Sequence, residues 1–127
     1  FVGKIIAAAK DNSEEIKREA ALVLSNSTAN CTPAQIIRIL NNGVYGCLIG
    51  LLLSNDAQIL LAALKGIENC LKCGKEFSLN DASGTNRFLM VLESRGGLEM
   101  IENLQLHQDH EVYEAVSKLI NEYFQFE

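Results

Sequence analysis

Three stretches of this chain repeat one pattern, and internal repetition constrains a fold more than any other sequence feature. They are residues 13–26, 55–69 and 109–122, each opening on polar capping residues and running into an apolar helical period. Aligned on Ile16, Ile59 and Val112, the second follows the first by 43 residues and the third follows the second by 53. A period of about 40–47 residues belongs to solenoids whose unit is two or three helices. The surplus in the longer interval is assigned to residues 74–86, which are polar, glycine-containing and aperiodic and are read as a loop.

Each unit resolves into helices. Thr32, Pro33 and Gln35 make a strong start: a capping hydroxyl, proline at the first helical position, and glutamine three residues after the cap. That helix runs to about residue 42 and stops at Gly43. Residues 44–53 form a second helix, apolar almost all round. Ser54, Asn55 and Asp56 break it and cap a long third helix over residues 57–72, with Gly74 as its expected end. The plan recurs over residues 87–94, a break at Gly96 and Gly97, residues 98–106, and a long last helix capped by Gln108 and Asp109 and reaching about Phe124. Residues 1–10 and 14–28 read as the last two helices of a truncated unit. The expected domain plan is a partial repeat over 1–30, a full repeat over 31–77 and a terminal repeat with the loop insertion over 78–127.

The apolar pattern of the third helices selects the architecture. Ile59, Leu60, Leu61, Ala62, Ala63, Leu64 and Ile67 cover most of one helix's circumference, so it must be covered on several sides, as in a stack of repeats. In the last helix Val112, Val116, Leu119, Ile120 and Tyr123 make one stripe and Glu111, Glu114, Lys118 and Glu122 the other, as a terminal unit requires. The fold class is therefore all-α: a right-handed α-solenoid of armadillo type, about two and a half three-helix repeats.

Charge and composition exclude several functions. The chain carries a net charge of −5. Nucleic acid and anionic membrane surfaces call for excess Lys and Arg, so neither is an expected partner. Asp109, Glu111, Glu114, Glu122 and Glu127 stand against Lys118 alone, which puts most of the net charge at the C-terminal end. No apolar run approaches the ~20 residues of a membrane span. The chain starts at Phe1, without an initiator Met and already within a helical pattern, and reads as a piece of a longer protein. An uncapped solenoid end near Phe1, Ile5 and Ile6 favours self-association.

No catalytic constellation emerges. Cys70 and Cys73 have the spacing of half a zinc site, but Cys31 and Cys47 make no second pair and His107 and His110 lack ligand spacing. The four cysteines read as reduced thiols. The histidines have no nucleophile or metal beside them, and the glycines are helix breakers without a phosphate-binding signature. No enzyme activity, metal or cofactor is expected. Tyr45, Tyr113 and Tyr123 are assigned to the core or an interface rim, and Phe124 and Phe126 to contacts at the chain end.

The residues also resemble a known family. Residues 19–28 (EAALVLSNST) followed by residues 32–36 (TPAQI), then residues 64–71 (LKGIENCL), and finally residues 97–105 (GLEMIENLQ) with Glu111, Tyr113 and residues 118–124 (KLINEYF) are similar, in order, to the eighth, ninth and tenth armadillo repeats of the importin-α (karyopherin-α) family. The resemblance implies a C-terminal piece of a nuclear import adaptor, shuttling between cytoplasm and nucleus and binding nuclear localisation signals in a groove lined by third helices. That groove pairs a Trp with an Asn four residues on. The two share one helical face, the amide pairs with an extended peptide's backbone, and the ring packs on a lysine stem. Carried onto this chain, the groove residues are Glu19, Leu22 and Asn26, then Lys65 and Asn69, then Lys118 and Glu122. The chain has no Trp, and its groove lysines would repel a basic peptide, so weak binding of localisation signals is expected. The resemblance further implies an export receptor of the CAS type and a nucleoporin as partners, with Asp109, Glu111, Glu114 and Glu122 as the docking residues, and importin-β as a partner through a segment outside this chain. For the asparagines, a solvated helix surface is the alternative; for the acidic face, simple solvation with Lys118 and Glu122 as an i,i+4 pair. An armadillo scaffold for cytoskeletal or signalling partners unrelated to import is the alternative function.

Overall fold

The computed structural model describes residues 2–78 and 84–124. They form eight α-helices and no strand: α1 (Val2–Ala8), α2 (Glu14–Asn26), α3 (Pro33–Asn41), α4 (Val44–Gly50), α5 (Ala57–Ser78), α6 (Arg87–Ser94), α7 (Gly97–Asn103) and α8 (His110–Tyr123). Short 3-10 turns, Leu51–Leu53 and Leu104–Leu106, extend α4 and α7.

The two three-helix units are built alike. In each, the first helix gives way to the second at a glycine in the left-handed region, Gly43 at φ 90° and Gly96 at φ 77°, where a Cβ would be strained. The turn at Gly43 bends the chain sharply, α3 and the α4 segment meeting at 61°. In each, an aspartate caps the long third helix. Asp56 Oδ1 accepts from the amides of Gln58 and Ile59 at 2.9 and 3.1 Å, and Asp109 Oδ1 from those of Glu111 and Val112 at the same distances. Ser13 does the same for α2 through the Ile16 amide. Thr32 and Gln35 open α3 as the sequence predicts, the Thr32 amide donating to Gln35 Oε1 at 3.0 Å.

Helix α5 is the centre of the molecule. It packs against α2 on one side and α8 on the other, with α4 and α6 beneath. Ile59, Leu60, Leu64, Ile67 and Leu71 are buried, in one core with Tyr45, Leu48, Phe88, Leu92, Ile101, Val112 and Leu119. Each such side chain contributes about 1.5–3 kcal/mol of burial. Tyr45 joins α4 to the next unit: its hydroxyl donates to the Phe88 carbonyl at 2.9 Å and its ring meets Phe88 edge-on, centroids 4.9 Å apart. Ile59 and Val112 are fully buried, whereas Ile16 at the matching place on α2 is 43% exposed, because no described element covers that side of α2.

One expected boundary is corrected. Helix α5 does not stop at Gly74 but continues to Ser78. Gly74 is buried, and a Cβ there would strike the Asn86 side chain and come within 3.2 Å of the Phe88 ring. The glycine admits a neighbour and does not end the helix. Asn86 lies in that gap, capping α6 through the Leu89 amide and donating to the Leu71 carbonyl at 3.0 Å. The expected loop over residues 74–86 is shortened accordingly, and its residues 79–83 fall outside the described residues, as do Phe1, Phe126 and Glu127.

Candidate functional site

Register along the long helices sets out a candidate groove. With the intervals of 43 and 53 residues, Leu22, Lys65 and Lys118 occupy one row, and Asn26, Asn69 and Glu122 the next. Two adjoining concavities follow these rows. The first, about 400 Å³, lies between α2 and α5 and is lined by Asn26, Lys65 and Asn69 together with Cys31, Cys73 and Glu76. The second, about 520 Å³, lies between α5 and α8; Lys65 and Asn69 reach it too, with Lys118, Glu122 and Tyr123 opposite. Of the predicted groove residues, the structure thus brings Asn26, Lys65 and Asn69 together. Glu19 and Leu22 are exposed on α2 and line neither concavity, Leu22 at 54%.

The two asparagines differ. Asn26 is exposed, and no described side chain or backbone group bonds its amide. Asn69 Nδ2 donates to Thr28 Oγ1 at 3.2 Å. Thr28 is itself fully buried and donates to the Ser25 carbonyl at 2.6 Å. The Asn69 amide is therefore oriented from within the protein, leaving its carbonyl oxygen as the natural acceptor for a ligand.

Electrostatics organise the α5–α8 side. Glu68 Oε1 receives Lys65 Nζ at 3.2 Å and Glu68 Oε2 receives Lys118 Nζ at 3.0 Å. Burial pushes the Glu68 carboxyl up, but the two lysines outweigh it and hold it below the ordinary range. The alternative pairing of Lys118 with Glu122 gives way to a bond to the neighbouring unit. Lys75 Nζ stands 5.5 Å from the centre of the Tyr123 ring. On the opposite edge, Arg18 of α2 grips Asp56 through Nε and Nη2, both at 2.8 Å, and holds its carboxyl below the usual value.

The residues predicted to dock a receptor do not form one uniform face. Asp109 is bound into the cap of α8. Glu122 lines the groove. Glu111 and Glu114 are exposed on α8, with Glu114 2.6 Å from His110 Nε2.

The thiols have no reactive arrangement. Burial, then a hydrogen bond to Cys31 that favours the protonated thiol, pushes Cys73 up to about 12, and burial raises Cys70 further. Both are protonated at neutral pH. Cys31 therefore neighbours Cys73 across the α2–α5 junction, a proximity its sequence position concealed. Among the described residues no group of three or more His, Cys, Asp or Glu is placed to hold a metal ion.

Sequence reading missed Glu68, Thr28, Lys72 and Lys75 as groove residues. Glu68 had a local signal, its i,i+3 spacing from Lys65. Thr28 had none, since its role depends on a helix 41 residues away.

Comparison with known proteins agrees with this architecture. Residues 86–127 match the family described as an atypical Arm repeat. Importin subunit alpha-5 of Arabidopsis thaliana is 31% identical over 97% of this chain and 23% of its own length. Importin subunit alpha-4 of the same plant is 38% identical over 71% and 17%. The chain belongs to the importin-α family. It spans less than a quarter of the length of either relative. Among solved structures, an engineered protein superposes with a TM-score of 0.73 at 19% identity, over 94% of this chain and 44% of that one. A designed armadillo repeat protein in complex with the peptide (KR)4 gives 0.53 at 21% identity, over 94% and 63%. The importin-α chain is thus an all-helical armadillo stack, with an asparagine at the same register on α2 and α5 and lysines on the adjoining row of α5 and α8.

Proposed function

We propose that this chain is part of a nuclear import adaptor: it holds extended localisation-signal peptides along the groove, and it docks the adaptor's export receptor and a nucleoporin through α8. The observation that carries the groove assignment is the repeat register of Asn26 and Asn69 on two consecutive long helices, bordering one concavity. Side-chain amides one repeat apart suit an extended backbone, whose N–H and C=O groups recur along the strand. Glu19 and Leu22, exposed on the same helix as Asn26, supply a carboxylate and an apolar surface for a lysine head and stem. On α8, Glu111 and Glu114 offer an accessible acidic surface for a basic partner, with Asp109 at the cap of the helix and Glu122 two turns farther along it. Importin-β engages through a segment outside this chain, and the adaptor shuttles between cytoplasm and nucleus.

Binding of a labelled lysine-rich signal peptide to the chain, followed by fluorescence anisotropy, tests the groove. Asn26→Ala is expected to weaken it several-fold, and an unchanged affinity would remove Asn26 from the site. Capture of the chain by the export receptor tests the other surface: reversing Glu111 and Glu114 to Lys should abolish it, and retention would show that α8 is not the docking face.

A further inference from the structure

We propose that the α5–α8 stretch of the groove is selective for an acidic peptide segment, complementary to the basic segment assigned to α2. The inference rests on the groove reading above and adds the chemistry of its second half. Three observations carry it. First, the row beside the asparagines holds Lys65 and Lys118, and both converge on one carboxylate. Glu68 has one oxygen on each lysine, so two cations share a single negative charge and little of that charge is left uncompensated for an incoming lysine. Second, Lys72 and Lys75 border the same concavity, and neither forms an ion pair among the described residues; Lys75 leans on the Tyr123 ring. Third, Asn69 is oriented by Thr28, which leaves its carbonyl oxygen to accept a backbone N–H of an extended chain.

The opposing charges are Glu76 and Glu122, both exposed at the same concavity. Glu76 and Glu122 are free to swing away, whereas Glu68 gathers the exposed heads of Lys65 and Lys118 at one place, from which either can turn to a ligand. A Lys-rich peptide entering here meets four ammonium groups. One rich in Asp and Glu meets four donors and a backbone acceptor in a concavity of about 520 Å³. Such a surface, set within a chain of net charge −5, is local and complementary to acid.

The test uses three fluorescein-labelled probes of equal length against the whole chain: a Glu/Asp-rich peptide, the same peptide with Lys in place of each acid, and a single-stranded oligodeoxynucleotide. Lys72→Glu alters an exposed, unpaired side chain and should weaken the acidic peptide by roughly threefold to tenfold, with binding falling as salt rises. Glu68→Gln releases both lysines and should tighten the acidic peptide several-fold, a gain that mere structural damage does not produce; circular dichroism checks the fold. The inference fails if Glu68→Gln leaves a folded chain with unchanged or weaker affinity, if Lys72→Glu has no effect, or if the oligonucleotide binds more tightly than the acidic peptide. The Lys-rich probe isolates the earlier reading. Its loss with Asn26→Ala concerns α2 alone, and its failure to bind would remove that reading while acidic binding sensitive to Lys72 still supports this one.

Discussion

The long helices meet at two junctions, and the two are held by different physics. Between α2 and α5 the backbones approach closely, with the Arg18–Asp56 ion pair at one edge. Gly66 lies so near the neighbouring helix that an added Cβ would stand 2.8 Å from Leu48 Cδ1 and 3.2 Å from Ser25 Cα. Buried Thr28 bonds both its own helix and Asn69 there. Between α5 and α8 the groove edge is polar: Glu68 bridges Lys65 to Lys118, and Lys75 covers Tyr123. Packing holds fixed distances and is indifferent to salt, whereas exposed ion pairs hold charge in place but respond to ionic strength. In the groove proposed above, the first junction would set the geometry and the second the selectivity.

The largest expected effect comes from spoiling the close junction. Gly66→Leu places a side chain where even a Cβ has no room, and the α2–α5 contact must open. Overpacking of one methyl group costs about 1–3 kcal/mol, so Gly66→Ala should fall in that range and Gly66→Leu beyond it. Urea unfolding measures both. A loss below about 0.5 kcal/mol for Gly66→Ala would mean that α2 and α5 slide apart easily, which would end the distinction between the junctions.

A smaller effect is expected from the polar contact within the same junction. Thr28→Val keeps shape but removes the hydroxyl that orients Asn69, at a cost of about 1 kcal/mol. Asn69→Ala should cost a similar amount, because the amide leaves a buried hydroxyl with one partner fewer. Thr28→Val combined with Asn69→Ala should cost less than the two singly, and strict additivity would show that the 3.2 Å contact carries no coupling.

What could be read in the sequence follows the same division. Helix starts were legible because capping is local: Ser13, Asp56 and Asp109 each bond amides two or three residues on. The buried circumference of α5 was legible because it is a property of one helix. Gly74 misled because glycine has two uses, and only a structure reveals Asn86 filling the space of the missing side chain. A local i,i+4 pairing of Lys118 with Glu122 was one of two readings of the acidic face, whereas Lys118 bonds Glu68, fifty residues earlier. Cys31 was read as a reduced thiol making no pair with Cys47, and nothing in its spacing marked Cys73 as its neighbour. Each of these contacts lies between repeats, where partners are chosen by stacking and not by spacing. The contacts among α2, α5 and α8 are of this kind, so the family resemblance could nominate groove residues but not what each touches; Glu19 and Leu22 line neither concavity.

Acid should probe both junctions at once. Asp56 is held below its ordinary value, first by its hydrogen bond to Arg18, against some opposing burial. Glu68 is lowered too, its burial outweighed by Lys118 and Lys65. A carboxyl depressed on folding contributes stability that is present above its unfolded value, about 3.9 for Asp and 4.3 for Glu, and is lost as pH falls through the lower folded value. Melting temperature should therefore drop as pH falls below about 4. Asp56→Asn and Glu68→Gln should each flatten that drop, and a slope unchanged in both would place the acid sensitivity elsewhere.

The smallest effect on stability should come from Lys118→Gln, and its salt dependence is what gives the measurement value. Lys118 is exposed and its bond to Glu68 is open to solvent on the lysine side, so at physiological ionic strength the change in melting temperature should be hard to resolve. Near 10 mM salt the screening length grows to about 30 Å, and the variant should fall measurably below the parent. Gly66→Ala should show no such dependence, since its defect is steric. If Lys118→Gln is costly at every salt concentration, the bridge is a packing element and the second junction is as rigid as the first. If only low salt exposes its cost, Lys118 can leave Glu68 without disturbing the fold, and that is the freedom an ammonium group needs to turn towards a ligand's carboxylate.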